Sequence, residues 1–217
     1  MQASKFTRKY WIVNEVLNAV THGIGFGLSI AGLVVLLVKG ARLGSALHVV
    51  SYAIYGSTMI LLFLFSTLFH SLIFTKAKKV FQVFDHATIY LLIAGSYTPF
   101  CLLSIQGWRG WTLLGVIWTL AISGIIYKSL TLHKTEKVSK ISTLIYILMG
   151  WSCLLTFHPL TQALGLWGTI LLASGGVAYT LGAYFYSKTN VRFMHVIWHL
   201  FVLLGAILIF FSVLFYT

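Results

Sequence analysis

The sequence predicts an all-α bundle of seven transmembrane helices, and three observations indicate this fold class. Of the 217 residues, 59% are apolar and only 8% are charged, which leaves too little polar surface to coat a soluble globule. The apolar residues form long runs, each close to the roughly 20 residues that cross a bilayer as a helix. The basic residues between these runs are concentrated in alternate loops.

Seven apolar runs bounded by charge define the predicted spans. They cover residues 16–38, 46–74, 81–104, 111–130, 139–157, 163–186 and 193–216. The connecting segments are short, so we expect residues 1–217 to form a single transmembrane domain without a separate soluble domain.

The distribution of Lys and Arg predicts the orientation, because these residues tend to stay in cytoplasmic loops. With seven spans, one side receives Lys5, Arg8, Lys9, Lys76, Lys78, Lys79, Lys128, Lys134, Lys137, Lys140, Lys188 and Arg192. The other side receives Lys39, Arg42 and Arg109. We therefore expect a multi-pass membrane protein with its N-terminus in the cytoplasm and its C-terminus outside. The net charge of +12 is then explained by topology and anionic lipid headgroups, without a nucleic-acid partner.

Four ionisable residues lie at similar depths in the predicted inner leaflet. His70, Asp85 and His199 each lie six or seven residues from the nearest inner basic residue, or about 9–10 Å at the helical rise. His195 is one turn shallower and shares a helix face with His199, because the two are four residues apart. Ionisable groups are costly in hydrocarbon and usually face a bundle interior, where they bind ions or take part in chemistry.

These residues predict a buried zinc site. Three neutral imidazoles, from His70, His195 and His199, leave a tetrahedral zinc ion one open position, where it lowers the pKa of water to about 7. Asp85 would orient a ligand, accept a proton from the water or complete the coordination sphere. Ser66, on the helix face of His70, would hydrogen-bond the water or a developing oxyanion. Other transition metals also bind imidazole. The alternatives are interhelical or headgroup contacts for the histidines and a bond to its own helix for Ser66.

Other polar residues receive weaker interpretations. Glu15, Asn18 and His22 share one face of the first span and either line the same cavity or form an interhelical seam. His86 is expected to point about 100° away from Asp85 and is not counted as a ligand. The histidines expected in or beside solvated loops are His48, His133 and His158.

The motifs Ser66-x3-His70, Asp85 and His195-x3-His199 resemble the signature of the progestin and adipoQ receptor superfamily. The segments NEVLNAVTHGIG, STLFHS, FDHATIYLLIAGSYTPF and MHVIWHLFVLLG are similar to its bacterial haemolysin III branch, and the resemblance covers nearly the whole chain. It implies a seven-helix fold with an inside N-terminus and zinc held by the three histidines, with Ser66 and Asp85 nearby. The family associates this centre with ceramide amide hydrolysis in animal adiponectin receptors. The resemblance to the bacterial branch implies a multi-pass protein of the bacterial plasma membrane. The name of the bacterial members records haemolysis, and a role in membrane lipid homeostasis is also proposed for them.

The leading hypothesis is therefore a zinc-dependent membrane hydrolase of the haemolysin III type. Its partners would be membrane lipids, with the acyl chain of a substrate lying between the helices and a lipid amide or ester reaching the metal. The alternative is a non-catalytic, zinc-stabilised membrane sensor or receptor-like scaffold. A pore-forming cytolysin fits less well, because the polar groups cluster toward one leaflet instead of crossing the midplane. The residues leave the exact substrate and the oligomeric state open.

Overall fold

The computed structural model of the protein describes residues 7–131, 140–188 and 190–217, which form an all-α bundle. Its α-helices are α1 (Arg8–Arg42), α2 (Ala46–Ser71), α3 (Lys78–Pro99), α4 (Gly107–Thr131), α5 (Lys140–Trp151), α6 (Phe157–Tyr186) and α7 (Met194–Tyr216). A π-helical segment, Phe100–Ile105, extends α3, and a 3-10 segment, Ser152–Thr156, joins α5 to α6. Six helical stretches within these ranges are long and apolar enough to cross a bilayer. The predicted class, a multi-pass helical membrane protein, is confirmed.

One of these stretches, Ser142–Tyr186, is 45 residues long and reverses its direction. The indole Nε1 of Trp151 donates to Thr180 Oγ1 at 3.0 Å, whereas a straight helix would separate the two residues by about 43 Å. Helical geometry breaks at Gly165, which has φ 63° and ψ −171°, a conformation that glycine adopts at little steric cost. Residues 158–162, which lie between the fifth and sixth predicted spans, were expected to form a loop but are helical. The helix breaks at Gly165 instead, because the break depends on the backbone conformation of that residue and not on hydropathy.

Glycines bring α1, α2 and α3 close together. A Cβ atom added to Gly56 in α2 would lie 2.5 Å from Leu33 Cδ1 in α1. A Cβ atom added to Gly95 in α3 would overlap the side chain of Thr58 in α2. Small residues allow membrane helices to approach closely, so α1 and α3 both pack tightly against α2.

Helix α7 packs against α1 and α6, and α4 packs against α3 and the π-helical segment. The largest buried cluster joins α2 and α7 through Tyr52, Tyr55, Phe63, Val202 and Ile209. This packing places the last turn of α2 beside the first turns of α7. The position of the candidate site follows from that arrangement.

The two ends of the bundle are held together by different contacts. Helices α1, α3 and α7 begin at one end, where the backbone N–H of Phe193 donates to Tyr10 Oη at 2.9 Å. At the other end Lys39 Nζ donates to the carbonyl oxygen of Leu214 at 2.8 Å. We call the end at which α1, α3 and α7 begin the histidine end, because it carries His70, His195 and His199.

The histidines expected in solvated loops have different environments. His158 is exposed but lies in α6. His48 lies in the first turn of α2, beside the loop that precedes this helix, and is half-buried with its Nδ1 2.8 Å from Ser45 Oγ. His133 lies outside the described residues.

Candidate metal centre

Three imidazoles converge at the histidine end. His70 lies in the last turn of α2, and His195 and His199 lie in the first two turns of α7. One ligand atom from each side chain lies within 4.8 Å of the other two, and the ring centroids are 4.8–5.1 Å apart. A tetrahedral zinc ion needs donor atoms about 3.4 Å apart, given its bond lengths to nitrogen. The ligand atoms would move closer together around a bound ion, and this set could bind a metal ion.

Hydrogen bonds from α1 determine which nitrogen of two histidines is available. His70 Nδ1 lies 2.6 Å from Glu15 Oε2, and His199 Nδ1 lies 3.2 Å from the carbonyl oxygen of Asn18. Carbonyl and carboxylate oxygens accept hydrogen bonds, so we assign the imidazole proton to Nδ1 in both rings. Each Nε2 then keeps its lone pair, which is the form that binds a metal.

The environment of His70 Nε2 indicates whether these residues fit a metal ion. It is buried and has no hydrogen-bond partner among the residues that the structure describes. Buried polar atoms are almost always paired, and a lone-pair donor beside two further imidazoles would be satisfied by a cation. Imidazole suits zinc, copper, iron and nickel, so the donor set fits a metal without identifying it.

Ser66 and Asp85 lie on the wall of a cavity to which His195 and His199 also open. Ser66 is one turn before His70, and its Oγ is buried without a hydrogen-bond partner in the described part of the chain. The Asp85 side chain is 16% exposed and does not belong to the group of mutually close ligand atoms. Both residues therefore line the same cavity as His195 and His199, and Asp85 lies outside the close group of ligand atoms.

The cavity has a volume of about 190 Å³ and reaches from the histidine end to Ile105 and Thr169. Its walls beyond the histidines are mainly apolar, as shown by Leu92, Phe100, Leu160, Leu172, Val202 and Ile209. An apolar chain placed there would direct its polar end toward the imidazoles.

His86 follows Asp85 in α3 and was not expected to be a metal ligand. It lines the same cavity as Asp85, although the two directions differ by about 100° on a helix. The cavity borders a broad strip of α3 that also includes Ile89, Ile93 and Ser96. His86 Nδ1 lies 2.6 Å from the Gln82 carbonyl oxygen, and His86 is not part of the close ligand group. The prediction that it is not a metal ligand therefore remains.

The polar face of α1 borders the centre. Glu15 and Asn18 make the two hydrogen bonds described above, and His22 stacks on His199 with ring centroids 3.6 Å apart. His22 also lines the cavity, and both of its ring nitrogens are buried without a partner among the described residues. The structure supports both interpretations for different residues: His22 lines the cavity, whereas Glu15 and the backbone carbonyl of Asn18 form interhelical hydrogen bonds with His70 and His199. The i, i+3, i+7 spacing was the signal in the sequence.

These observations define the class of protein: a multi-pass helical membrane protein with a buried histidine centre at one end of the bundle. The sequence profile of the family described as Haemolysin-III related matches residues 10–210. The chain belongs to this family, as the motifs implied.

Relatives extend over most of the chain. Hemolysin-3 of Bacillus cereus is 48% identical over 214 residues, which are 98% of this chain and 96% of that protein. The Hemolysin-3 homolog of Bacillus subtilis (strain 168) is 44% identical over 207 residues, or 95% of this chain and 96% of the relative. The human Monocyte to macrophage differentiation factor is 35% identical over 159 residues, covering 70% of this chain and 64% of that protein.

Proposed function

We propose that the protein is a zinc-dependent membrane hydrolase that cleaves an amide or ester bond of a membrane lipid. The observation that supports this most strongly is the buried cluster of His70, His195 and His199 beside a long apolar cavity. A zinc ion in this cluster would supply a Lewis acid and lower the pKa of water at its open position to about 7.

Other residues of the chain would transfer the proton, stabilise the developing charge and orient the substrate. The carboxylate of Asp85 lines the cavity outside the close ligand group, so it is free to take a proton from the attacking water. The Ser66 hydroxyl, which has no protein acceptor among the described residues, would donate to the carbonyl oxygen as negative charge develops there. The apolar wall would hold the acyl chain and so orient the scissile carbonyl toward the histidines.

We further propose seven crossings with the N-terminus in the cytoplasm, which would place the centre in the inner leaflet. The reversal within Ser142–Tyr186 supports two crossings in that stretch, and the bias of basic residues supports the orientation. In a Cys101→Ala, Cys153→Ala background, an impermeant maleimide should label Arg109→Cys in intact cells and Lys79→Cys only after lysis. The reverse pattern would contradict this orientation.

The proposed hydrolase activity is tested by measuring lipid turnover and metal content in the same samples. The purified wild type, His195→Ala and a control, His158→Ala, would be loaded with zinc and incubated with a short-chain ceramide and its ester analogue. His158 is exposed and lies outside the cavity lining, so its variant should keep both zinc and activity. We expect His195→Ala to lose at least about 100-fold in turnover, because a ligand to the metal is removed. A zinc-loaded wild type that cleaves neither substrate would reject the hydrolase for these two lipid classes.

A zinc-stabilised sensor or scaffold is the second candidate. The histidines come from α2 and α7, so a shared metal ion would also fasten these two helices together. In that case metal removal should lower thermal stability while no lipid is consumed. The same samples therefore distinguish the two functions.

A further inference from the structure

We propose that Glu15 is a positioning residue for the metal centre. Its carboxylate holds the His70 imidazole in the tautomer and orientation that present Nε2 to the ion. This inference rests on the metal site of the proposed function but not on the hydrolytic reaction.

The contact between the two side chains is short and shielded from water. Glu15 Oε2 lies 2.6 Å from His70 Nδ1, with side-chain exposures of 14% for Glu15 and 2% for His70. A hydrogen bond to an ionised acceptor is stronger than a neutral one, and burial reduces competition from solvent. The bond therefore restrains both the position of the proton and the rotation of the ring.

The arrangement leaves His70 Nε2 as the free acceptor. That atom is buried and unpaired within the described ranges, and the His70 ring packs against the rings of His195 and His199. If the ring turned over about its Cβ–Cγ bond, Nδ1 would move away from Glu15, the bond would be lost and Nε2 would leave its present position. Glu15 thus favours the one ring orientation that completes the ligand set.

Helix α1 acts on the centre without supplying a ligand atom. None of the mutually close ligand atoms comes from α1, yet Glu15 and Asn18 of this helix accept hydrogen bonds from His70 in α2 and His199 in α7. The two acceptors are three residues apart and so share a face. Only Glu15 uses its side chain for this bond, which makes it the contact that mutation can remove.

A purely structural ion pair would predict a different outcome. Losing it would lower stability but leave the metal affinity and coordination geometry of the folded protein unchanged. A positioning residue changes both, and partners that orient metal ligands typically contribute 10–100-fold in affinity. The test must therefore measure the metal itself.

The experiment compares wild type, Glu15→Ala, Glu15→Gln and Ser29→Ala. Ser29 is a matched control on α1, since its buried hydroxyl donates to the Gly25 carbonyl at 2.7 Å and it lies about 21 Å from Glu15 along the helix. Zinc affinity is measured by competition with a chelator, and coordination geometry by the visible spectrum of the cobalt(II) form. We expect Glu15→Ala to bind zinc about 10–100-fold more weakly with an altered spectrum. Ser29→Ala should match the wild type.

Glu15→Gln keeps a neutral acceptor, so its loss should be smaller, about three- to tenfold. If Glu15→Ala does not fold, the zinc affinity and cobalt(II) spectrum of Glu15→Gln decide whether Glu15 is a positioning residue. Wild-type affinity and spectrum in the folded Ala variant, or in the Gln variant when Ala does not fold, would overturn the proposal.

A second measurement needs no metal. Nitrogen-15 spectra of the imidazoles in the metal-free protein report the tautomer of each ring, and the His70 signal is identified by its loss in His70→Gln. We expect the Nδ1–H form in wild type and a mixture in Glu15→Ala. An unchanged His70 tautomer would contradict the positioning role. A wild type that binds no zinc would instead reject the proposed function, while this comparison still tests Glu15.

Discussion

The imidazole of His22 in α1 stacks face to face on that of His199 in α7, with ring centroids 3.6 Å apart and planes 12° from parallel. The edge of the Phe63 ring in α2 meets His22 with centroids 5.0 Å apart. His22 is 3% exposed. Three helices therefore meet around this one ring, directly beside the candidate metal ligands.

Substitutions of His22 should separate ring packing from hydrogen bonding. His22→Ala removes the ring and should lower the stability of the metal-free protein by about 2–4 kcal/mol, because a buried cavity is left. His22→Phe keeps the ring, and neither nitrogen of His22 has a partner in the described chain, so it should match or exceed wild-type stability. Thermal unfolding in detergent measures both. A Phe variant as unstable as the Ala variant would show that the nitrogens are bonded.

Metal removal should lower the stability of the wild type. An ion that binds only the folded protein adds about 2.7 kcal/mol at a concentration 100 times its dissociation constant, and here it would connect α2 with α7. Adding a chelator should therefore lower the thermal midpoint of the wild type but not that of His195→Ala, which lacks one of the three imidazoles. Equal shifts in the two proteins would argue against metal binding at this cluster.

Tyr10→Phe should loosen the start of α7. Phe193 precedes this helix with φ 60°, a left-handed conformation that is unfavourable for residues with a side chain. Its N–H donates to Tyr10 Oη at 2.9 Å, and the two rings meet at 5.0 Å. Losing the hydroxyl should cost about 0.5–1.5 kcal/mol and speed hydrogen exchange at the Phe193 amide. Unchanged exchange there would contradict this role.

Gly95→Ala should destabilise the protein by about 1–3 kcal/mol, because the new methyl group would overlap the Thr58 side chain where α3 crosses α2. Gly27→Ala is the matched control, since an added Cβ in α1 meets no atom within 4 Å among the described residues. That variant should be neutral or slightly stabilised, because alanine favours helix over glycine. Guanidinium or thermal unfolding of both proteins gives the comparison, and equal losses would show that close packing at Gly95 is not the cause.

The spacing of charges and histidines predicted similar depths for His70 and His199, with His195 one turn shallower, because a helix rises by a constant amount per residue. The structure adds that their ligand atoms are mutually close. Zinc, and the roles of Asp85 and Ser66 in catalysis, stay predictions. The spacing also placed Glu15, Asn18 and His22 on one face of α1. Periodicity does not predict which helices pack against that face. The bonds to His70 and His199 follow from how α1 packs against α2 and α7.

The sequence by itself determined that this is a multi-pass helical membrane protein of the haemolysin-III-related family with histidines near one end of its helices. Hydropathy and helical spacing are local properties, so they can be read from neighbouring residues. Only the tertiary structure decided that the helical stretch Ser142–Tyr186 breaks at Gly165 and that Glu15 pairs with His70, 55 residues away. Both depend on backbone conformation and helix packing, which bring together residues distant in the chain.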